Sequence, residues 1–324
     1  MVYLETGSTD PAYNLAFEEF VLTHRTEGDI LILWQNDNAV IIGRNQNTAE
    51  EIDQGFVDAH GIRVVRRNTG GGAVYHDLGN LNYSFITDAG ASKAAFTDPV
   101  IRALRSLGLD AEVSGRNDIL VSGKKISGTA QQVSKGRVLH HGTLLFDSDS
   151  SMITGALTPD PGKFQSKGVK SVRSRVGNIR TFLKQDMDID AFWTHLKRTL
   201  GDTGMTCDAL SDRELAEVAR LKAEKYDTWQ WNFGRSPAYD VQVKKRFDGG
   251  TLDVRMRVSH GVITGIKFYG DFLAVRPVSI LEDALIGCEF RKDAIEQALT
   301  GLPIAECLGG ITTEVCIRTI LNHD

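Results

Sequence analysis

Cysteine is scarce in this chain of 324 residues, which has four in all: Cys207, Cys288, Cys307 and Cys316. They form no CxxC pair, and the first 206 residues contain none. This distribution argues against a disulfide framework and is typical of a reducing compartment, so we expect a cytoplasmic protein. It also leaves the larger part of the chain without a thiol nucleophile.

A basic excess and long apolar runs are also missing. The chain has 37 basic and 42 acidic residues, a net charge of −5, so we expect neither nucleic acid nor a membrane as a partner. No apolar run approaches the roughly 18 residues that a membrane-spanning helix needs. The N-terminus has neither the basic nor the apolar region of a signal peptide. Any phosphate that the protein handles is therefore expected to belong to a small ligand.

The order of helical and strand patterns indicates two domains. A length of 324 residues is typical of about two domains of roughly 150 residues each. We predict an α+β domain over 1–230 and a small accessory domain over 238–324, joined by an irregular linker at about 227–237. The second domain reads as three alternating strands followed by helices.

Several local signals predict individual elements. Asp10, followed by proline, is a good helix cap, and the helix should run to about His24. The β-rich runs Ile30–Trp34 and Ala39–Ile42 are separated by Asn and Asp, which predicts a hairpin. Thr48 with an acid three residues later predicts a capping box and a second helix.

Three successive glycines stand at positions 70–72, between two predicted strands. Such a turn can present consecutive N–H groups to an anion, although a flexible loop is the competing interpretation. Arg66 and Arg67 precede it on opposite faces of one strand, so one should point at a ligand and the other at solvent. The Walker motif is missing, and Tyr75 stands where the dinucleotide motif requires glycine.

A second cluster combines Asn117 and Asp118 with the lysine pair Lys124 and Lys125. Adjacent lysines on a strand face opposite ways, so at most one lines a given pocket. A pocket lysine beside an acid suits phosphoryl or adenylyl transfer, because its ammonium neutralises charge that develops on a phosphate. A solvated turn is the alternative.

Two further clusters follow. His140 and His141 are neighbours on a predicted strand, so they cannot share one metal, and one of them either lines a pocket or makes structural hydrogen bonds. The segment 167–176 carries four basic residues and no acid, which indicates either an anion-binding loop or a solvated surface run.

These clusters, in this order, resemble the lipoate–protein ligase A family. That family belongs to the biotin/lipoate ligase group, which is related to class II aminoacyl-tRNA synthetase catalytic domains. The resemblance therefore implies an α+β catalytic domain of that type, followed by a small α+β C-terminal accessory domain. It rests on these motifs: RRNTGGGAVYHDLGN (66–80), GRNDI (115–119) with KKISG (124–128), HHGTLL (140–145) and KGVKSVRSRV (167–176).

The resemblance also implies roles for single residues. Lys125 would contact both the lipoyl carbonyl and the α-phosphate of ATP, and Asp118 would serve with it in catalysis, near Mg²⁺ or as its orienting partner. The implied lipoate-binding residues are Trp34, Arg67, Thr69, Gly72, His76, Lys125, Gly128, Ala130 and His141. The implied residues for ATP and the adenylate are Arg67, Gly72, Ala73, Val74, Tyr75, Asn117, Lys125, Lys167, Ser171 and Arg173. Thr69 departs from the family's usual serine but keeps the hydroxyl.

The implied reaction forms lipoyl-AMP from lipoate and MgATP, then transfers the acyl group to a lysine of an acceptor protein. The implied acceptors are lipoyl domains of 2-oxoacid dehydrogenase E2 subunits or the glycine-cleavage H protein, and we expect a monomer. One alternative is an octanoyltransferase of the same fold, which would need a cysteine or a Lys/Cys arrangement in the first domain. Biotin ligase and a non-catalytic acyl-binding protein are the others.

Overall fold

The computed structural model describes residues 1–115, 117–157, 176–201, 204–233, 241–259 and 261–321. The strands in this part of the chain are β1 Val2–Glu5, β2 Ile30–Trp34, β3 Ala39–Ile42, β4 Arg63–Arg66, β5 Val74–His76, β6 Asn80–Asp88, β7 Ala111–Ser114, β8 Asp118–Val121, β9 Lys124–Ser134, β10 Arg137–Leu145, β11 Thr206–Cys207, β12 Val241–Phe247, β13 Gly250–Ser259 and β14 Val262–Gly270. The α-helices are α1 Pro11–His24, α2 Thr48–Glu51, α3 Gln54–Ala59, α4 Lys93–Ser106, α5 Ser150–Ala156, α6 Ile189–Leu200, α7 Asp212–Leu221, α8 Trp229–Asn232, α9 Ser279–Leu285, α10 Lys292–Leu299, α11 Ile304–Cys307 and α12 Thr313–Ile320.

The main sheet has eight strands in the order β11-β1-β2-β6-β10-β9-β8-β7. Its two faces bury different cores, and β2 contributes to both because side chains alternate along a strand. Leu31 and Leu33 pack on one face, together with residues of α4 and α6. Ile30 and Ile32 pack on the other face, against α1.

Helix α1 confirms its predicted start and end. Asp10 Oδ1 accepts hydrogen bonds from the amides of Ala12 at 2.9 Å and Tyr13 at 3.3 Å, and Pro11 takes the first helical position. The helix ends at His24, as the sequence predicts. Ten of its 14 residues are buried, because α1 lies between the main sheet and α7.

The predicted hairpin of β2 and β3 is wrong. β2 belongs to the main sheet, whereas β3 is the central strand of a second sheet with the order β4-β3-β5. Their connection is no solvated turn, because Asn36 is buried there and its Oδ1 accepts from Asn14 Nδ2 at 2.9 Å. The connection is therefore fixed to α1, and the chain leaves one sheet for the other.

The predicted capping box at Thr48 is also wrong. Asn47 is the cap residue of the short helix α2, and α3 follows as a separate helix. The Thr48 hydroxyl instead donates to the carbonyl of Asn232 at 2.6 Å and is fully buried. Its oxygen is used for a tertiary contact with α8.

Sequence signals also predict two later helices of the first domain, one that starts at Asp98, before Pro99, and one with a capping box of Ser211 and Glu214. Helix α7 has the capping box that was predicted from Ser211 and Glu214. Helix α4 begins at Lys93, earlier than the predicted start at Asp98, and Pro99 lies within it.

The C-terminal sheet is the predicted three-stranded antiparallel meander, β12-β13-β14. It buries its own core with α9 to α12, in which Val254, Phe268 and Leu281 are central. The sequence predicts the helices of this domain at about 280–285 and 292–299, where α9 and α10 lie, but it does not predict the short helices α11 and α12. No helix in the described residues is long and apolar enough to cross a membrane.

Part of the predicted linker 227–237 is ordered against the first domain. Within it, α8 binds β4, since Asn232 Oδ1 accepts from the Arg66 amide at 2.9 Å. Residues 234–240 lie outside the described residues. We therefore propose that the domain boundary falls after α8.

The close pairing of β10 with β6 gives a stability prediction. A Cβ added to Gly142 would lie 2.4 Å from the hydroxyl oxygen of Tyr83, which is fully buried on β6. We expect Gly142→Ala to lower the free energy of unfolding by roughly 1–3 kcal/mol, because the ring has to move within a packed core. Urea denaturation measures this change.

The matched control is Gly90→Ala, where an added Cβ meets nothing within 4 Å. We expect that variant to unfold within about 0.5 kcal/mol of the wild type. Equal stabilities for the two variants would contradict the packing described for β6 and β10.

Candidate active site

A cavity of about 320 Å³ lies where β9 and β10 of the main sheet meet the glycine loop, residues 68–73, and the C-terminal domain. Most of the residues singled out from the sequence line it. They are Trp34, Arg67, Gly72, Ala73, Val74, His76, Asn117, Asp118, Lys125, Gly128, Ala130 and His141.

Of the singled-out residues that the structure describes, two do not line it, Thr69 and Tyr75. Thr69 is fully buried behind the wall, where its hydroxyl bonds His141. The side chain of Tyr75 points away into the core of the second sheet, and its hydroxyl donates to Asn38 at 3.1 Å. Tyr75 alternates with Val74 and His76 along β5, so its side chain lies on the face away from the cavity. Lys167, Ser171 and Arg173 lie outside the described residues.

Lys125 and Asp118 form an ion pair on the cavity wall, with 2.8 Å between Nζ and Oδ1. Asp118 pairs with Gly128 across the hairpin, whereas Lys125 pairs with Leu120, and the register shifts between the two pairs. Without this bulge, Lys125 would lie on the opposite face of the hairpin from Asp118. The bulge therefore brings the ammonium to the carboxylate, while Ile126 remains fully buried in the core.

Gly128 makes room for the Lys125 side chain. A Cβ at Gly128 would lie 3.3 Å from Nζ and 3.4 Å from Cε of Lys125. The lysine therefore lies across a strand position where a larger residue would crowd it. Lys124 faces elsewhere, lining a separate cavity with Phe182, as expected for adjacent strand residues.

Asn117 does not orient Lys125 in this structure. Its Nδ2 donates to the carbonyl of Thr129 at 3.3 Å, and its own carbonyl accepts from the Thr129 amide at 2.8 Å. On the other side of Lys125, the Gly177 amide donates to the Lys125 carbonyl at 2.9 Å. The chain that follows the basic segment is thus anchored beside Lys125.

The guanidinium of Arg67 lies inside the glycine loop. Its terminal nitrogen Nη2 donates to the carbonyls of Gly70 at 2.7 Å and Gly72 at 2.9 Å, and its Nε donates to Thr69 Oγ1 at 2.9 Å. Burial lowers the pKa of Arg67 to about 10, so the side chain stays charged at neutral pH. The loop is shaped by this cation, which the sequence had suggested only as a ligand contact.

The expectation that Arg66 is solvated is wrong. Its side chain is buried on the opposite face of β4 and donates to carbonyls of the segment 43–46, with 2.7 Å to that of Gln46. It also reaches the Thr48 hydroxyl at 2.6 Å and the Asn232 carbonyl at 3.1 Å. Each N–H finds an acceptor because the irregular chain after β3 directs the carbonyls of residues 43, 44 and 46 at the guanidinium.

The C-terminal domain contributes to the cavity, which the sequence did not predict. Asp271 and Leu273, just after β14, line the cavity wall. The carbonyl of Phe272 accepts from the Gly71 amide at 3.2 Å, and a Cβ at Gly70 would lie 2.6 Å from the same oxygen. One N–H of the glycine loop is therefore used by the protein itself, and glycine at position 70 permits the close approach.

His76 is held as a neutral imidazole. Asn14 donates to Asn36 Oδ1, which leaves the Asn36 amide nitrogen to donate to His76 Nδ1 at 3.0 Å. Burial, and then the positive charge of Arg67, lower the pKa of His76 to about 3. The proton is therefore on Nε2, an atom that has no partner within the described residues.

Glu18 and its neighbour Glu19 on α1 are further residues that the sequence analysis missed. Glu18 is buried and accepts from His141 Nδ1 at 2.9 Å. Glu19 accepts from Lys225 and Tyr226, both of which also bond Asn68 in the glycine loop. Two adjacent carboxylates within a helix of mostly apolar residues were the available signal.

The shifted pKa of His76 predicts how stability depends on pH. Its folded value of about 3 lies below the ordinary value of 6.5, so the native state binds fewer protons than the unfolded state below pH 6.5. Stability should therefore fall as the pH decreases. Between pH 7.5 and pH 5, His76 should contribute a loss of about 2 kcal/mol.

Urea unfolding of the wild type and of His76→Gln at both pH values measures this contribution. The variant should lose about 2 kcal/mol less than the wild type over the same range. His60→Gln, at an exposed histidine, is the control and should keep the wild-type dependence. A wild-type dependence in His76→Gln would show that His76 is protonated in the folded protein.

Comparisons with known proteins agree with this geometry. Residues 10–201 match the lipoyl protein ligase A/B catalytic domain, and residues 236–320 match the bacterial lipoate protein ligase C-terminus. The lipoate-protein ligase LplJ of Bacillus subtilis is 44% identical, over 97% of this chain and 98% of that protein.

Two solved structures extend the comparison. A bipartite lipoate protein ligase from Thermoplasma acidophilum, described with its E2 lipoyl domain, is 33% identical with a TM-score of 0.63, covering 74% of this chain and 98% of that one. A lipoate-protein ligase A bound with ATP is 32% identical with a TM-score of 0.62, covering 72% and 98%. The predicted α+β fold class and the predicted family are both confirmed. The chain belongs to the lipoate–protein ligase family.

Proposed function

We propose that this protein is an ATP-dependent lipoate–protein ligase, which forms lipoyl-AMP and transfers the lipoyl group to a lysine of an acceptor lipoyl domain. The names of three relatives support this proposal: the Bacillus ligase, the ligase bound with ATP, and the Thermoplasma ligase described with its E2 lipoyl domain. The observation that carries it is the Lys125 ammonium, held by Asp118 at 2.8 Å on the wall of a cavity that also contains the glycine loop.

The cavity suits an acid with an apolar chain. Lys125, Gly128 and Ala130 follow one another along β9, a span of up to roughly 16 Å at about 3.3 Å per residue. Apolar side chains such as Trp34 and Leu15 line the same cavity. A carboxylate near Lys125 would therefore have its aliphatic tail beside Ala130 and Trp34.

In the first step, a carboxylate oxygen of lipoate attacks the α-phosphorus of ATP, and the bond to the bridging oxygen breaks to release pyrophosphate. The Lys125 ammonium neutralises the negative charge on the α-phosphate and binds the attacking carboxylate. Asp118 keeps the ammonium in place, and the cavity walls hold the acid in line. This step needs positioning and charge, and no protein nucleophile.

Mg²⁺ would enter with ATP as part of the substrate. This ion is usually bound by one or two carboxylates together with substrate phosphates and water. Asp118 is the carboxylate we propose for it, and Asp271 lines the same cavity. No group of three or more His, Cys, Asp or Glu side chains suited to a metal occurs in the described ranges.

In the second step, the amine of an acceptor lysine attacks the acyl carbon of lipoyl-AMP. The acyl–oxygen bond breaks, AMP leaves, and the amine nitrogen loses a proton. We propose lipoyl domains of 2-oxoacid dehydrogenase E2 subunits or the glycine-cleavage H protein as acceptors. The basic segment that contains Lys167, Ser171 and Arg173 is proposed to bind the adenylate, and its C-terminal end pairs with Lys125.

The cysteines give little support to an acyl-thioester route. None of the four lines the cavity. Cys307 and Cys316 are buried in the C-terminal core, where burial raises their pKa to about 11 and about 12. Cys207 is exposed on the edge strand β11. An octanoyltransferase that uses a thiol would lack its nucleophile at this site.

Substitution of Lys125 tests the catalytic assignment. We expect Lys125→Ala to reduce lipoate-dependent ATP–pyrophosphate exchange by about 100-fold or more, because the charge on the α-phosphate loses its compensation. Transfer from synthetic lipoyl-AMP to a lipoyl domain should fall as well. Lys124→Ala is the matched control and should stay within about 2-fold, since its side chain faces a different cavity. Normal lipoyl-adenylate formation by Lys125→Ala would refute the assignment.

The substrate acid is tested by pyrophosphate exchange of the wild type with lipoate, octanoate and biotin in turn. We expect exchange with lipoate and weaker or equal exchange with octanoate, because the cavity from Lys125 to Ala130 and Trp34 suits an acid with an apolar chain. We expect no exchange with biotin. An absence of exchange with every acid would refute the ligase proposal. Exchange with biotin alone would identify a biotin ligase.

A further inference from the structure

Among the described residues of the first domain, Glu18 is the one buried carboxylate, and 5% of its surface is exposed. Two donors converge on it. The Ser84 hydroxyl donates to Oε1 at 2.5 Å, and His141 Nδ1 lies 2.9 Å from Oε1 and 3.1 Å from Oε2. Ser84 in turn accepts from the indole N–H of Trp34 at 2.9 Å. Glu18 does not line the cavity, but Trp34 and His141 do.

The same network continues on the far side of the His141 ring. His141 Nε2 lies 2.8 Å from Thr69 Oγ1, which accepts from Arg67 Nε at 2.9 Å. Arg67 is the cation that shapes the glycine loop. Glu18 is thus connected through His141 to Thr69 of the glycine loop, and through Thr69 to Arg67.

The partners determine which nitrogen of His141 carries the proton. Glu18 only accepts, so Nδ1 must be the donor. Arg67 only donates, so the Thr69 oxygen receives the Arg67 proton and its own hydrogen is left to donate to Nε2. With Nε2 unprotonated, every hydrogen in the network has an acceptor. With Nε2 protonated, the Thr69 oxygen would face two donors, Arg67 Nε and His141 Nε2. The hydroxyl hydrogen of Thr69 would then no longer have His141 Nε2 as its acceptor.

We propose that Glu18 is a positioning residue of the active site: its carboxylate fixes the Nδ1-protonated form of His141 and the ring of Trp34, and thereby sets both walls of the acyl cavity. It does so without contacting the substrate. The role rests on the proposed function, since the rings of His141 and Trp34 line an acyl chain only if the cavity binds lipoate.

The charges of the network support this role. Arg67 and Glu18 are both buried, and each would be costly to bury alone. Thr69 and His141 lie between them and are oriented by both ends, so that all the hydrogen bonds run from the arginine and the indole toward the carboxylate. An amide at position 18 would keep the shape but would replace one acceptor by a donor.

Nitrogen chemical shifts of the His141 ring test the proposal directly, using the full chain labelled with ¹⁵N. In the wild type we expect Nδ1 protonated and Nε2 unprotonated near pH 7.5. In Glu18→Gln the amide N–H₂ should face Nδ1 and drive the ring to the Nε2-protonated form. A wild-type ring that is protonated on Nε2 overturns the proposal, even if Glu18→Gln does not fold.

Kinetics supply the second measurement. We expect Glu18→Gln to lower kcat/KM for lipoate in the exchange assay by about ten-fold, equivalent to about 1.4 kcal/mol, mainly through KM, because a buried hydrogen-bond acceptor is lost. Glu19→Gln is the matched control: it is the neighbouring acid on the same helix, and it bonds Lys225 and Tyr226 instead. That variant should keep the wild-type protonation of His141.

The outcomes separate the two proposals. If the wild type shows no lipoate-dependent exchange, the proposed function fails, whatever the state of His141. If the wild type exchanges but Glu18→Gln has wild-type ring shifts and a wild-type KM for lipoate, the function stands and the role of Glu18 is wrong. Equal shifts of the His141 ring in the Glu18 and Glu19 variants also overturn it, since a general loosening of α1 would then explain them.

Discussion

The charge of Arg67, buried inside a turn of three glycines, is the interaction on which the rest of the site depends. A cation removed from water requires acceptors, and the carbonyls of Gly70 and Gly72 supply them only if the loop closes around it. The same cation orients Thr69, and through His141 it is coupled to the carboxylate of Glu18. The glycine loop, the cavity wall at His141 and helix α1 are therefore held by one electrostatic arrangement.

Much of the fold follows from local sequence signals, and the errors occur where tertiary contacts override them. Asp10 caps α1 as predicted, because the cap involves only neighbouring amides. The sequence predicts a hairpin turn at Asn36, yet this residue is buried against Asn14 where the chain passes from one sheet to another. The sequence predicts that Thr48 caps a helix, yet its hydroxyl donates to the carbonyl of Asn232. Contacts between residues far apart in sequence determine both conformations, and a local sequence pattern holds no information about such contacts.

The composition of the site was largely predictable, but its geometry was not. The motifs point to Lys125, Asp118 and the glycine loop because their chemistry is visible in residue type alone. Adjacent strand residues face opposite ways, and this argument correctly separated Lys124 from Lys125. It wrongly predicted that Arg66 is solvated, since an irregular segment supplies buried acceptors for the Arg66 side chain. Leu273 could not be predicted, because it approaches the cavity from another domain.

The bulge between Asp118 and Gly128 has a consequence for how the chain reaches its native pairing. A regular ladder from that pair would turn the Lys125 ammonium into the core and Ile126 out of it. Such a mispaired hairpin would bury an unpaired charge, at a cost of several kcal/mol, and would lose the burial of an isoleucine, about 2 kcal/mol more. Folding thus selects between the two pairings before any substrate is present. Lys125, to which the proposed function assigns the chemistry, therefore also helps to specify the strand register.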